Sequence, residues 1–172
     1  MSGSPDAINR SATISVLVEN EAGVLARVIG LFSGRGYNID SLTVAPVDDA
    51  GRQSRINVVT SGTEMVLAQI KAQLERLVPV YRVSDLGKEG PHIAREMALI
   101  KVVATGEPRV EALRIAEAFR ARVVDATPNS FVFELTGNTE KLDAFQELMR
   151  PLGLAEISRT GVAAIARGPR TI

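Results

Sequence analysis

The fold is decided by one strand, one loop and one helix, which occupy residues 13–32 with the sequence TISVLVENEAGVLARVIGLF. Residues 13–18 form a short stretch of mostly β-branched or apolar residues, as expected of a strand. Residues 24–32 place their apolar side chains on one broad helical face. The stretch therefore predicts a strand that leads through a short polar loop into an amphipathic helix.

The residues that follow complete a four-stranded pattern. Residues 37–45 and 53–60 have the composition and alternation of strands. Ser61 or Thr63 can cap a second helix, whose apolar residues recur at helical spacing. Residues 80–86 close the unit as a fourth strand. The order βαββαβ predicts an α+β unit of the split βαβ, ferredoxin-like type.

The second half of the chain repeats this order. Pro108 stands where a helix accepts proline in its first turn, and Asn138 or Thr139 can cap the next helix. Pro128 and Asn129 form the turn of an antiparallel hairpin. The predicted strands are residues 98–104, 122–127, 130–136 and 154–158, and residues 162–165 can add a short extra one. Two tandem ferredoxin-like units are therefore expected.

The Gly/Pro-rich segment at residues 87–91 separates the two halves. We expect a flexible N-terminal tail over residues 1–11, a first domain over 12–86, a linker over 87–95 and a second domain over 96–172. A unit of about 75 residues buries too little surface to be very stable alone. Because such sheets also leave an edge open, we expect the chain to form a homodimer.

Composition excludes several classes of protein. The chain has 172 residues, with 20 Lys and Arg against 20 Asp and Glu, so its formal net charge is zero. A general nucleic-acid binder would carry a basic excess. The sequence has no apolar run long enough to cross a bilayer, and its first residues do not resemble a signal peptide. A soluble, cytoplasmic protein with no nucleic-acid or membrane partner is expected.

Catalysis by this chain alone is not expected. It has no cysteine and one histidine, His92, which we interpret as a solvated loop residue. No cluster suited to a metal is apparent, so we predict neither catalytic nor metal-binding residues. An acylphosphatase-like hydrolase would need an arginine in the first loop, which carries Glu19 and Glu21 instead. An RNA-binding sheet would need aromatic residues that its central strands lack.

The loop between the first strand and the first helix is a candidate binding site. Gly23 stands at the start of the helix, where backbone N–H groups lack partners and the helix dipole is positive. Such a terminus binds a carboxylate or a phosphate. Asn20 and Asn38 add neutral amides, a combination that suits a zwitterionic amino acid. The alternative is an ordinary capped loop, with Asn20 as the N-cap.

Two longer strings carry a family resemblance. Residues 17–28, LVENEAGVLARV, resemble the amino-acid-binding ACT domain. Residues 31–44, LFSGRGYNIDSLTV, are similar to the small regulatory subunit of acetohydroxyacid (acetolactate) synthase. The similarity continues through residues 141–145 and 159–168, and it covers nearly everything after Ser11.

This resemblance implies a regulatory subunit without an active site or a cofactor of its own. Its partner would be the catalytic large subunit, which uses thiamine diphosphate, Mg²⁺ and FAD. The family's ACT domains pair in a homodimer, and valine bound at their interface gives feedback inhibition. The positions that match its effector site are Asn20, Ala22, Gly23, Val24, Leu25, Asn38 and Ile39. Ala26 departs from members that carry a hydroxyl residue there.

The residues also allow roles to be assigned within that site. The effector carboxylate would accept from the N–H groups of Val24 and Leu25, and Asn20 and Asn38 would accept from its ammonium group. These amides can come from one protomer or from two. The side chains of Val24, Leu25 and Ile39 would contact a branched side chain. A free-standing amino-acid sensor is the alternative function, since an ACT site alone would support it.

Overall fold

The computed structural model describes residues 8–172, which form two compact units. One unit combines the chain up to Ile93 with Val162–Ile172, and the other is Ala94–Gly161. No helix among the described residues is long and apolar enough to cross a membrane. The α+β class and the two antiparallel sheets agree with the prediction of two ferredoxin-like units.

The first unit has the predicted βαββαβ order. Its antiparallel sheet has the strand order β2-β3-β1-β4, so β1 is central and β2 lies at an edge. β1 pairs with β3 over ten residue pairs, from Arg10 with Gly62 to Glu19 with Gln53. The elements are β1 (Arg10–Glu19), α1 (Val24–Gly34), β2 (Ser41–Pro46), β3 (Gln53–Gly62), α2 (Glu64–Glu75), β4 (Val80–Asp85) and α3 (Leu86–Glu89).

Alternation along β1 builds the core of this unit. One face of β1 carries buried apolar residues, and α1 and α2 pack their apolar faces against it. Thr63 is the N-cap of α2, because its hydroxyl accepts from Val66 N at 3.3 Å. Ser61, the alternative cap, lies within β3. The fully buried members of the core are Ile14, Val16, Val28, Phe32, Ile56, Val58, Ile70 and Leu74.

The second unit repeats the pattern with the strand order β6-β7-β5-β8. Pro108 lies in the first turn of α4, and Asn138 caps α5 by accepting from Lys141 N at 2.9 Å. The predicted hairpin turn separates β6 from β7. The elements are β5 (His92–Val103), α4 (Gly106–Ala118), β6 (Arg122–Thr127), β7 (Ser130–Gly137), α5 (Thr139–Met149), β8 (Leu154–Arg159) and, beyond this unit, β9 (Ala163–Ala166).

Two predicted boundaries differ from the structure near residue 90. Most of the expected linker over 87–95 is ordered structure, because Asp85 caps α3 by accepting from Lys88 N at 3.3 Å and β5 begins soon after. His92 is accordingly a half-buried residue of β5 and not a solvated loop residue. The hydrogen-bonding requirements of the backbone are met here by a short helix and a strand.

The two chain ends also differ from the predicted domains. Residues 10 and 11 of the expected tail are part of β1, whereas residues 1–7 lie outside the described residues. Val162–Ile172 belongs to the first unit, although the sequence places it in the second domain. The extra strand expected near residues 162–165 is present as β9.

An ion-pair network ties the beginning of β1 to α2 and to the end of β4. The Arg10 guanidinium donates to Glu64 and, at 2.6 Å, to Asp85. Lys88 Nζ also donates to Glu64, at 3.1 Å. The hydrogen bond from Arg10 and that from Lys88 lower the pKa of Glu64 from 4.5 to about 2.

This shift predicts how acid stability responds to Glu64→Gln. A carboxylate whose pKa is lowered in the folded state stabilises the fold above its unfolded pKa, and the stabilisation is lost as the pH falls through the folded pKa. The free energy of unfolding of Glu64→Gln should therefore fall less steeply than that of the wild type between about pH 5 and pH 2. Urea unfolding at a series of pH values measures this.

Glu140→Gln is the matched control, because Glu140 lies in the first turn of α5 as Glu64 does in α2. Glu140 makes no ion pair within the described part of the chain. The control should keep the wild-type pH dependence. Equal pH dependence of wild type and Glu64→Gln would contradict the assignment of acid sensitivity to this network.

Candidate functional site

The loop between β1 and α1 is held against the β2–β3 turn. Asn20 N donates to Arg52 O, and Asn20 Nδ2 donates to Gly51 O, both at 2.7 Å. Glu19 N donates to Pro79 O at 2.8 Å, which anchors the loop on its other side. These bonds fix the Asn20 amide, and its Oδ1 accepts no hydrogen bond from the described residues although Asn20 is exposed.

Gly23 determines how α1 begins. Its backbone is left-handed, with φ 86° and ψ −7°, and a Cβ built on it meets no atom within 4 Å. Glycine adopts this conformation without the steric cost of other residues. Gly23 itself is the N-cap, and no side chain of the described residues caps the helix. The alternative interpretation, in which Asn20 is the N-cap, is wrong because the Asn20 amide faces the β2–β3 turn.

The first turn of α1 consequently presents backbone donors. Val24 N has a long contact of 3.4 Å to Glu21 O, and Arg27 N makes the first bond of the helix, to Gly23 O at 3.0 Å. The N–H groups of Leu25 and Ala26 lie between them and have no partner within the described residues. The first turn contains no acidic residue. The N–H groups open to a carboxylate are thus those of Leu25 and Ala26, whereas the sequence predicted those of Val24 and Leu25.

Asn38 and Ile39 lie in the segment that leads from α1 into β2. Asn38 is exposed; its Nδ2 donates to Asp40, and its backbone oxygen accepts from Thr60 Oγ1 at 2.6 Å. Ile39 is half-buried and packs against the first core. Asn38 is therefore fixed three residues before β2, beside the last residues of β3.

The structure of one chain does not bring Asn20 and Asn38 together. Asn20 bonds to Arg52, just before β3, whereas Asn38 bonds to Thr60 near the end of β3. At about 3.3 Å per residue, an extended strand separates these two points by more than about 20 Å. Two groups this far apart cannot hold one amino acid, so a site that uses both amides needs residues of two chains.

The predicted side-chain contacts divide into two kinds. Val24 is buried in the core, so its side chain faces the sheet and not a ligand at the loop. Leu25 and Ile39 are half-buried and Ala22 is exposed, so these three are accessible at the surface. Of the apolar contacts expected for a branched ligand, Leu25 and Ile39 remain.

A depression beside Asn20 was not anticipated from the sequence. It has a volume of about 350 Å³ and contains three carboxylates and one guanidinium. This charge favours the ammonium end of an amino acid at the Asn20 side of the loop. The acidic residues of the turn after β2 are evident in the sequence. Their position beside Asn20 depends on the pairing of the strands, which the sequence does not reveal. The lining residues are Glu19, Asn20, Glu21, Asp48, Arg52, Gln53 and Tyr81.

The corresponding loop of the second unit differs in its charge. α4 begins at Gly106 and contains Glu107 and Pro108 in its first turn. Pro108 removes one donor, and Glu107 places a negative charge at the positive end of the helix dipole. The loop of the first unit is therefore the better place for a carboxylate.

Two family models match consecutive parts of the chain. Residues 14–82 match "AHAS small subunit-like ACT domain", and residues 95–168 match "Small subunit of acetolactate synthase". The chain belongs to the acetolactate synthase small-subunit family. This confirms the resemblance found in the sequence and places the candidate loop within the ACT domain of a regulatory subunit.

Individual relatives agree with the acetolactate synthase small-subunit assignment over most of their length. The chain is 49% identical to the acetolactate synthase isozyme 3 small subunits of Escherichia coli and Salmonella typhimurium, over 91% of this chain and 96% of each relative. The crystal structure of the acetolactate synthase small subunit from Thermotoga maritima superposes with a TM-score of 0.82 at 36% identity. That match covers 94% of this chain and 99% of the other. The assignment favours a subunit over a free-standing sensor.

Proposed function

We propose that this regulatory subunit binds valine at the loop before α1, activates the catalytic large subunit of acetolactate synthase and makes it sensitive to feedback inhibition. The observation that carries the proposal is the beginning of α1 at a left-handed Gly23, without a side-chain cap among the described residues. A helix terminus of this kind offers donors and positive potential to a carboxylate.

The effector carboxylate accepts from the N–H groups of Leu25 and Ala26. Both donors lie in the first turn of α1, where the effect of the helix dipole is largest. No acidic side chain of that turn competes for them, since the turn contains only Val24, Leu25 and Ala26 before Arg27. The absence of a Cβ at Gly23 leaves open space for the approach of the ligand.

The ammonium group is held by Asn20 of one chain and Asn38 of another. β2 is an edge strand, and its residue Val44 is 46% exposed. Antiparallel pairing of β2 with β2 of a second copy reverses the strand direction, so the Asn38 end of one chain lies near the Asn20 end of the other. This homodimer through the ACT domains completes two equivalent sites.

A branched apolar effector fits the remaining contacts. Leu25 and Ile39 offer half-buried apolar surface beside the polar groups. Pockets of this kind separate ligands that differ by one methylene by about 1–3 kcal/mol. Valine is the proposed effector because the family resemblance implies it.

The chemistry of the reaction belongs to the catalytic large subunit in this proposal. Thiamine diphosphate, Mg²⁺ and FAD are held there, and this chain contributes no reacting group. The proposal places both subunits in the cytoplasm. The role of this chain is to change the activity of its partner according to the concentration of valine.

The substitution Gly23→Asp tests the site. Its carboxylate, about 4 Å from that of the effector at an effective dielectric constant of about 20, opposes binding by about 4 kcal/mol before screening. If screening leaves about 2 kcal/mol of this repulsion, the affinity for valine falls about thirtyfold. The variant should still activate the catalytic subunit, but a valine titration of the reconstituted enzyme should show a correspondingly higher inhibition midpoint.

Gly23→Asn is the matched control, because asparagine has the same shape and tolerates the left-handed backbone equally well but carries no charge. It should shift the midpoint much less than Gly23→Asp. The chain alone, supplied with thiamine diphosphate and Mg²⁺, should form no acetolactate. An unchanged midpoint for Gly23→Asp would remove the effector from this loop, and loss of activation without valine would mean that the loop serves assembly.

The proposed dimer predicts the effect of Val44→Lys. A lysine on an edge strand opposes its pairing with another strand, so the variant should sediment as a monomer. Because each site needs two chains, calorimetry should also show valine affinity reduced by at least about tenfold. Val78→Lys is the control, since Val78 is 96% exposed and lies outside the strands. A dimeric Val44→Lys chain with normal affinity would contradict the β2 interface.

A further inference from the structure

The outer face of the first sheet, which faces away from α1 and α2, contains a buried polar row. Ser15 of β1 is opposite Asn57 of β3 on one side and Ser84 of β4 on the other. All three are buried, and Ser15 is completely inaccessible. Ser15 Oγ and Asn57 Oδ1 have no partner within the described residues. Polar side chains on an outer sheet face normally meet water, so another part of the chain must cover this row.

The cover is the C-terminal segment Val162–Ile172, which we call the strap. At its beginning, Val162 N donates to Ser41 Oγ at 2.7 Å, and Thr43 Oγ1 donates to Val162 O at 3.1 Å. Val162 and Ala164 are 7% and 4% exposed. The strand within the strap, β9, contacts β1 and α3. The strap therefore occupies the outer face as an integral layer of the first unit.

The end of the strap is held by cationic side chains of the same face. Arg55 Nη2 donates to Ile172 O at 3.2 Å, and Arg82 Nη1 donates to Thr171 O at 3.1 Å. Arg170 donates to the backbone oxygen of Glu89. The strap is thus bonded to β2 at one end and to β3 and β4 at the other.

The strands that hold the strap also lead to both halves of the candidate effector site. Ser41, the first anchor, lies two residues after Ile39 on the same segment. Arg55 lies three residues after Arg52, whose backbone accepts from Asn20. A ligand that restrains Asn38 and Asn20 therefore restrains the same ends of β2 and β3 that position the anchors of the strap.

We propose that docking of the strap on this face and binding of the effector favour each other. The inference rests on the proposed function, because it takes the effector to be valine at the loop before α1. The strap continues directly from Gly161, the last residue of the second unit, so its docking links effector occupancy to that unit through the chain. Coupling of this kind is reciprocal: loss of docking weakens effector binding, and the effector stabilises docking.

The test uses the full chain and a pair of substitutions, Ser41→Ala with Thr43→Val, that removes both hydroxyl anchors. Calorimetry should show valine affinity about tenfold lower, within the usual range of coupling. Ser11→Ala with Thr13→Val is the matched control. These residues have the same spacing on the same outer face, and neither hydroxyl bonds to the strap. The control should keep the wild-type affinity.

A chain that ends at Gly161 distinguishes the effect of losing the strap from the effect of changing β2. It keeps Ser41 and Thr43 but lacks Val162, to which both are bonded. It should fold, since the face it uncovers is polar and the core lies on the other side of the sheet. Its valine affinity should also fall about tenfold. Conversely, valine should slow tryptic cleavage after Arg167 and Arg170 of the wild type.

Three outcomes would overturn the inference: valine affinity within about twofold of wild type in both strap variants, equal weakening in the control, or cleavage of the strap that valine does not change. A wild-type chain that binds no valine would refute the proposed function instead. The two failures are therefore distinguishable.

Discussion

The ten-residue register between β1 and β3 constrains every other feature of the first unit. It places Asn20, just after β1, beside Arg52, just before β3. β4 pairs with the other side of β1, and β2 lies at the opposite edge of the sheet, beside β3. Asn38 then lies at the far end of β3. The sheet thus separates the two amides within a chain and leaves open the strand through which a second chain can bring them together.

The same register explains why the first unit is built from two segments of sequence. Cross-strand pairing aligns Ser15, Asn57 and Ser84 into one polar row that water does not reach. The strap covers that row, so the chain passes between the units twice, after Ile93 and after Gly161. Under the proposed coupling, this second crossing gives the effector site a covalent connection to the second unit.

Local patterns predicted the elements but not their long-range partners. Hydrophobic periodicity identified both βαββαβ units, and Thr63 and Asn138 were recognisable caps because capping depends on neighbouring residues. Asn20 was a plausible cap in sequence, yet its amide bonds to Gly51, 31 residues away. The apolar pattern near residue 163 predicted a strand without indicating that it returns to the first unit. The residue types of the site could be predicted from the sequence, whereas the distance between Asn20 and Asn38 depends on the order of the strands in the sheet.

The central claim, that one effector site combines Gly23 of one chain with Asn38 of another, is tested most directly with mixed dimers. Gly23→Asp and Asn38→Lys chains, each with a different affinity tag, are combined, and doubly tagged dimers are titrated with valine. Each parent homodimer should bind valine at least about thirtyfold more weakly than the wild type, but the mixed dimer should regain one site of wild-type affinity, because one of its two sites then has both wild-type residues. A mixed dimer that binds valine as weakly as its parents, beside a tagged wild-type dimer that binds it normally, would contradict a site shared between chains.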